Sequence, residues 1–290
     1  MNRVVSVVVC LVSATASLAA CAAHSETGHG SEEPPPPRRA AAPSSATSPP
    51  PEPPPPHLGL ASLAEDPATP AGPPVPAQPS CPGTMILVEG QYCTEVRQEC
   101  VQWEDPPASK LARCARFAPT LCVGERVHER FCVDRDEYVE AGGTLPAGDV
   151  SWTQGKELCD RQGKRLCLET EWELACEGEQ MLPYPTGLDR DPSDCNIDKN
   201  DLTDPVTGKL RDQREPADKL ERCVSPFGVR NMSGNMDEWV FRDRSGGEWR
   251  SALKGGWWMP ARDRCRPATT AHDEHFHELQ TGLRCCSDAM

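Results

Sequence analysis

Fourteen cysteines lie between Cys81 and Cys286, an even number, in a chain whose first residues read as an export signal. In an oxidising compartment that count reads as a disulfide framework, and it excludes the usual habit of a reduced cytosolic protein. A chain stapled this densely does not need a large continuous apolar core. It can fold as loops and short elements held by cross-links.

Residues 1–20 run from Arg3 through a Val-rich stretch to Leu18-Ala19-Ala20, immediately before Cys21. This is the pattern of a secretory signal with a small-residue cleavage site. Leu-Ala-Ala-Cys also resembles the bacterial lipobox, which implies a mature chain beginning at a diacylated Cys21. An ordinary signal peptide whose cleavage site abuts a cysteine is the alternative. Ala22 in the next position resembles the sorting pattern of outer-membrane lipoproteins, so the expected location is the bacterial cell envelope. Several acyl chains on one cysteine suffice for stable attachment, and no second apolar run approaches the ~20 residues of a membrane span.

From 21 to 80 the composition changes. Residues 34–79 hold 18 of the 31 prolines and almost no large apolar side chains, so the segment reads as a disordered, semi-rigid tether. Residues 81–290 then form one domain. The formal charge of −14 and the lack of a basic run in the domain argue against a nucleic-acid partner.

Within the domain, Ser151 and Gln154 make a capping-box start. The helix that follows carries Leu158 and Cys159 and stops near Gly163. A second helix begins around Glu169, buries Leu168, Trp172, Ala175 and Cys176 at helical spacing, and closes at Gly178. Glu169, Glu171 and Glu173 face away from that stripe, near Lys164 and Arg165, and read as ion-pairing residues. The expected class is α+β, irregular and loop-rich, with few short helices and strands.

Several segments carry a family resemblance. Gly163-Lys164-Arg165-Leu166 with Glu169-Thr170-Glu171-Trp172-Glu173 resembles the "GKRLPTEAEWE" signature of the formylglycine-generating enzyme family, the sulfatase-modifying factors. Phe131-Cys132-Val133-Asp134-Arg135-Asp136-Glu137 resembles "FxIDxxEV". The stretch from Phe227 to Trp239 resembles "fGLyDMxGNVwEW", Lys254-Gly255-Gly256-Trp257-Trp258 stands for "RGGSW", and Gly282-Leu283-Arg284-Cys285 for "GFRC". The resemblance runs from about Met85 to Ser287 and implies a C-type-lectin-like fold.

It also implies disulfides Cys159–Cys285 and Cys176–Cys265. Each closes a loop of about a hundred residues and contributes up to ~4–5 kcal/mol by the chain-entropy argument. Cys167 replaces the proline of "RLPTE", and Cys286 adds to Cys285. Strand neighbours point to opposite faces, so Cys286 needs its own partner, and Cys167 is assigned to it. Cys195 with Cys223 would close the acidic insert between them. The partners of Cys81, Cys93, Cys100, Cys114, Cys122 and Cys132 stay open.

The family's enzyme binds Cu(I) through a further cysteine pair between "RGGS" and "RC", as soft thiolates select that ion. Here Gly256 to Cys265 is shorter and holds no cysteine before Cys265. If Cys265 is structural, both copper ligands are missing. A second alignment makes Cys265 the second active cysteine and leaves Cys176 unpaired. The resemblance further implies calcium at Asn231, Gly234, Met236 and Glu238, hard oxygen donors of the kind Ca²⁺ takes; a simple capped turn is the alternative.

His272, His275 and His277 form the one histidine cluster. On a strand His275 and His277 would share a face, and with His272 or a carboxylate they could hold zinc or non-haem iron; a solvated acidic loop is the alternative. Trp257, Trp258 and Phe276 suggest a cleft for a peptide or glycan, although adjacent strand residues face opposite ways and one tryptophan belongs to the core. The expected function is a lipid-anchored envelope protein whose domain serves as a binding or scaffold module. An active formylglycine-generating oxidase, or a non-haem metal-dependent oxidase, is the alternative.

Overall fold

The structure is a computed structural model that describes residues 81–290; the signal, Cys21 and the proline-rich tether lie outside the described residues. In chain order the elements are β1 (Met85–Cys93), β2 (Val96–Arg97), β3 (Cys100–Trp103), β4 (Cys114–Phe117), β5 (Leu121–Cys122), β6 (Arg126–Asp134), α1 (Trp152–Asp160), β7 (Arg165–Leu166), α2 (Glu169–Glu177), β8 (Asp237–Phe241), β9 (Ser251–Lys254), β10 (Ala268–Thr269), β11 (Thr281–Leu283) and β12 (Cys285–Asp288). Two short helices and many short strands, tied by seven disulfides, make an α+β, loop-rich fold. Among the described residues no helix is long and apolar enough to cross a membrane.

One sheet has the order β1-β6-β12-β7 and the other β10-β9-β8-β11. The longest pairing joins β1 to β6, antiparallel from Met85 opposite Asp134 to Cys93 opposite Arg126. β11 runs parallel to β8, whereas β12 runs antiparallel to both β6 and β7. One chain end thus stitches the two sheets together.

Helix α1 starts where its cap dictates. The Gln154 N–H donates to Ser151 Oγ at 3.2 Å, and the Ser151 N–H donates to Gln154 Oε1 at 2.8 Å. In α2 the Leu168 N–H donates to Glu171 Oε2 at 2.8 Å, and Gly178 ends the helix with φ of 64°, a conformation that costs glycine no Cβ clash.

The glutamates of α2 do not face solvent. Glu169, Glu171, Glu173 and Glu177 are all buried, because the helix has no free side. Trp172, Ala175 and Cys176 pack into the larger core, while the carboxylates meet cations from distant segments. Only Glu171 pairs with the nearby Arg165, through two bonds of 2.6 and 2.7 Å. Lys164 binds Asp134 instead.

The core has two main clusters, and β12 divides them. Cys285 sits with Val150, Trp152, Leu166, Trp239 and Leu283, while Cys286 sits with Val88, Phe131, Trp172 and Met232. Adjacent strand residues point to opposite faces, so Cys285 reaches Cys159 of α1 and Cys286 reaches Cys167. Cys176 joins Cys265, and Cys195 joins Cys223. In the N-terminal part Cys81 pairs with Cys132, Cys93 with Cys122 and Cys100 with Cys114.

Candidate functional site

The site is built around the turn that follows β9. Lys254, the last residue of β9, is completely buried, its Nζ 2.7 Å from Glu173 Oε1 and 2.8 Å from the Arg266 carbonyl. Its ammonium also lies 5.6 Å from the centre of the Trp172 ring. Glu173 binds Arg244 as well, and Arg266 is joined to Glu177 and stacks 4.7 Å from the Tyr92 ring centre. Burial holds the Glu177 carboxyl at about 7, with Arg266 pulling it down. These glutamates and cations balance within a buried network, the arrangement that makes buried charge tolerable.

Anchored in this way, the chain turns sharply at Gly255 and Gly256, with φ of 86° and 73°. A Cβ on Gly256 would collide with Asp263 Oδ1, so this position requires glycine both for its backbone and for the space beside it. The turn also removes the residues after it from the sheet. Trp258 enters the core with no exposed surface, and Trp257 stays half-buried at the outside.

Below the turn lies a cavity of about 130 Å³ whose walls include Asp237, Gly256, Trp257, Arg262 and Asp263. Asp237 and Asp263 are both buried. Asp237 is held up to about 8, first by burial and then by the charge of Asp263, while the Gly256 N–H opposes the shift. Burial also raises Asp263, to about 7, against the pull of Arg190, whose Nη2 is 2.7 Å from Oδ2. Asp263 Oδ1 has no hydrogen-bond partner.

Trp257, Trp258 and Phe276 do not form one cleft. Trp258 is core, and Phe276 lines a separate, more open hollow with Trp249, His272 and His275. Nor do the histidines converge, because 272–278 is a succession of turns and not a strand. His272 stacks on Phe276 with ring centres 3.7 Å apart, His277 Nδ1 lies 2.8 Å from Asp149, and His275 is exposed. Among the described residues no three His, Cys, Asp or Glu side chains are placed to hold a metal ion.

Calcium fits the implied set only in part. Glu238 is fully buried and accepts from Arg284 through both carboxylate oxygens, and from Trp172 Nε1 at 2.8 Å. The Gly234 carbonyl accepts the Met236 N–H at 2.8 Å. Asn231 donates Nδ2 to Glu137 Oε2 at 3.0 Å. The oxygens left without partners are Asn231 Oδ1 and Glu137 Oε1. Glu137 is held up to about 8 by burial and by Glu238, with Arg284 and the two amides Asn231 and Asn235 opposing.

Residues 90–289 match the family described as the sulfatase-modifying factor enzyme 1-like domain. The chain belongs to this family. The sulfatase-modifying-factor domain here is also similar to CarF, at 16% identity over 71% of this chain and 98% of that one, with a TM-score of 0.47. PvdO from Pseudomonas aeruginosa is similar at 14% identity over 70% and 94%, with a TM-score of 0.41. Among curated proteins, the serine/threonine-protein kinase pkn1 of Chlamydia caviae is 34% identical over 95 residues, covering 32% of this chain and 13% of the kinase. Pkn1 of Chlamydia trachomatis serovar L2 is 29% identical over 163 residues, covering 49% of this chain. The chain spans about a quarter or less of the length of these two relatives, 24% and 13%.

Within the sulfatase-modifying-factor domain, Asp237, Asp263 and Glu137 are the site residues that the sequence reading passed over. Asp237 lay inside a motif valued for Glu238, and Asp263 inside a segment read for its missing cysteines. Only the turn at Gly255 and Gly256 brings the two aspartates to one cavity.

Proposed function

We propose that this chain is a lipid-anchored envelope protein whose sulfatase-modifying-factor domain is a disulfide-stapled binding or scaffold module without copper-dependent oxidase activity. The observation that carries this reading is the Cys176–Cys265 disulfide. A Cu(I) site of the family's kind needs two thiolates. The interval from Gly256 to Cys265 holds one cysteine, Cys265 itself, and it is committed to α2. All fourteen cysteines from Cys81 to Cys286 are paired. Retaining a fold does not retain its chemistry, because activity lives in the site.

Calcium belongs to the same proposal in altered form. Asn231 Oδ1 and Glu137 Oε1 are the free hard donors, and they would hold the ion in place of Glu238, which Arg284 occupies. The ion would then serve stability and not turnover. The partner is a peptide or glycan of the envelope, and the membrane is reached through Cys21.

The deciding experiment titrates Cu(I) into disulfide-intact protein and assays oxidation of a Cys-x-Pro-x-Arg peptide. The expected result is no tight copper binding and no oxidised product. Turnover with one copper per chain would establish the oxidase instead. Separately, Cys21→Ser is expected to release the protein from the membrane fraction, and an unlipidated wild type would refute the anchor.

A further inference from the structure

We propose that the groove between helix α1 and the end of β8 receives the uncharged, proline-rich stretch from Pro73 to Pro79 of the same chain. The inference goes beyond the binding-module reading and does not depend on it.

The groove opens beside β7, the edge strand of its sheet. It has a volume of about 240 Å³, and its wall is apolar, made by Trp152 of α1, Leu166 of β7, Leu168 and Phe241. Trp152 and Phe241 stand with ring centres 6.0 Å apart and planes tilted by 45°. Trp152 Nε1 donates to the Val240 carbonyl, so this ring brings no unsatisfied polar atom to the groove. Phe241 keeps 36% of its surface exposed, while its N–H is bonded to the Cys167 carbonyl. The charged residues at the margin are engaged. Lys156 binds Asp160 at 2.6 Å, and Arg165 is held by Glu171 and Asp288. The groove therefore offers a ligand aromatic and aliphatic surface without a free charge.

The occupant follows from where the described chain begins. Residues 73–79 lie outside the described residues. They lead into Cys81, which is bonded to Cys132 of β6 with Cα atoms 5.7 Å apart. Cys132 is opposite Ser287, and the adjacent Cys286 is opposite Arg165, so two strand spacings, about 10 Å, separate β6 from β7. Cys132, Cys285 and Leu166 point to one face of this sheet, the face that α1 covers through the Cys159–Cys285 bond. Thr84 shares a hollow with Gln162 and Lys164, just past the end of α1. The chain thus enters the domain beside the same helix end, Asp160, that closes the groove. Seven residues at ~3.1 Å each reach about 22 Å, enough to run from there along the wall.

Chemistry favours the same segment. Gly72 to Ser80 carries no charged side chain, in a chain whose formal charge is −14. It contains two Pro-x-x-Pro units, Pro73-Pro74-Val75-Pro76 and Pro76-Ala77-Gln78-Pro79. Proline-rich segments dock on aromatic-lined grooves because their polyproline II conformation is set before binding and costs little entropy. A partner within the same chain also arrives at a high effective concentration. Docking would fix the point at which the rest of the tether leaves the domain.

The test places a photo-cross-linking residue at the groove margin, Lys156→p-benzoylphenylalanine, in the full, disulfide-intact chain. Irradiation of the purified protein is expected to link position 156 to a residue between 72 and 80. Mixing isotope-labelled and unlabelled chains separates a bond within one chain from a bond between two. Replacing Pro73, Pro74, Pro76 and Pro79 together by serine should abolish the cross-link, and so should Phe241→Ser. The serine replacements lie outside the described fold, so they decide even if Phe241→Ser disturbs folding. Cross-links only between chains, none to 72–80, or a link to 72–80 that survives the serine replacements would overturn the inference. None of these outcomes touches the copper assay, which decides the scaffold reading separately.

Discussion

Glu238 and Arg284 face each other as a fully buried two-point ion pair, with Nε 2.7 Å from Oε2 and Nη2 2.6 Å from Oε1. The other guanidinium hydrogens go to backbone carbonyls of Asp134, Arg135 and Arg230. Trp172 Nε1 completes the carboxylate side. One arginine therefore ties together β8, the end of β6, the loop before β8 and helix α2, and Glu238 neutralises it.

Removing Glu238 leaves a guanidinium buried without its counter-charge. Glu238→Ala should destabilise the domain by about 3–5 kcal/mol, the usual cost of breaking a buried pair from one side. Denaturant unfolding with disulfides intact measures it. The loss is expected to be the same with calcium present or chelated, whereas Glu137→Gln should abolish any calcium-dependent rise in melting temperature.

The adjacent tryptophans separate by burial. Trp258→Ala empties a core position and should cost about 3–5 kcal/mol. Trp257→Ala, at a half-buried position on the cavity wall, should leave the unfolding midpoint nearly unchanged. Equal losses in the two variants would contradict the turn that sends them to different environments.

Glu129 gives the domain a pH signature. Its carboxyl is held at about 7, first by burial and then by Glu171, Asp243 and Glu173, with the Thr170 hydroxyl pulling the other way. The folded protein then holds this proton more tightly than the unfolded chain. That stabilisation is complete below about pH 4.5 and is lost as pH rises through about 7. Glu129→Gln should flatten the fall in melting temperature across this window and be the more stable protein above it. Parallel slopes for the two proteins would rule the contribution out.

Replacing both Cys176 and Cys265 by serine removes a cross-link spanning 89 residues. The chain-entropy argument sets the loss at up to about 4–5 kcal/mol. Replacing Cys265 alone should leave Cys176 as a buried thiol that resists alkylation until the protein is unfolded. Rapid alkylation of that thiol in the native protein would argue against the packing around α2.

The parts of the fold legible in the sequence are those fixed by near neighbours. Ser151 and Gln154 mark the start of α1 because a cap involves residues three apart. Gly178 marks the end of α2 for a similarly local reason. The burial of Glu173 and Glu177 was not legible, since their partners Lys254, Arg244 and Arg266 arrive from later segments. The histidine loop misled for the opposite reason: proximity in sequence suggested a shared face, but the turns at 272–278 scatter the rings. The cavity aspartates carry no linear signal at all. Asp237 is one strand residue among several acids, and its pairing with Asp263 exists only because two glycines reverse the chain between them.

The disulfides fall into two sets that share no bond, one nested and one in which Cys159–Cys285 and Cys167–Cys286 cross. Cys100–Cys114 lies inside Cys93–Cys122, which lies inside Cys81–Cys132, and no bond joins this set to the rest. In the second set both outermost bonds wait for Cys285 and Cys286. If the chain is exported N-terminus first, as proposed, it can finish oxidising 81–132 while the remainder is still arriving. Cys159 and Cys167, by contrast, must stay reduced until nearly the last residue has been delivered. During that interval they are the thiols most open to wrong partners, and the burden on an oxidative folding catalyst falls on closing β12.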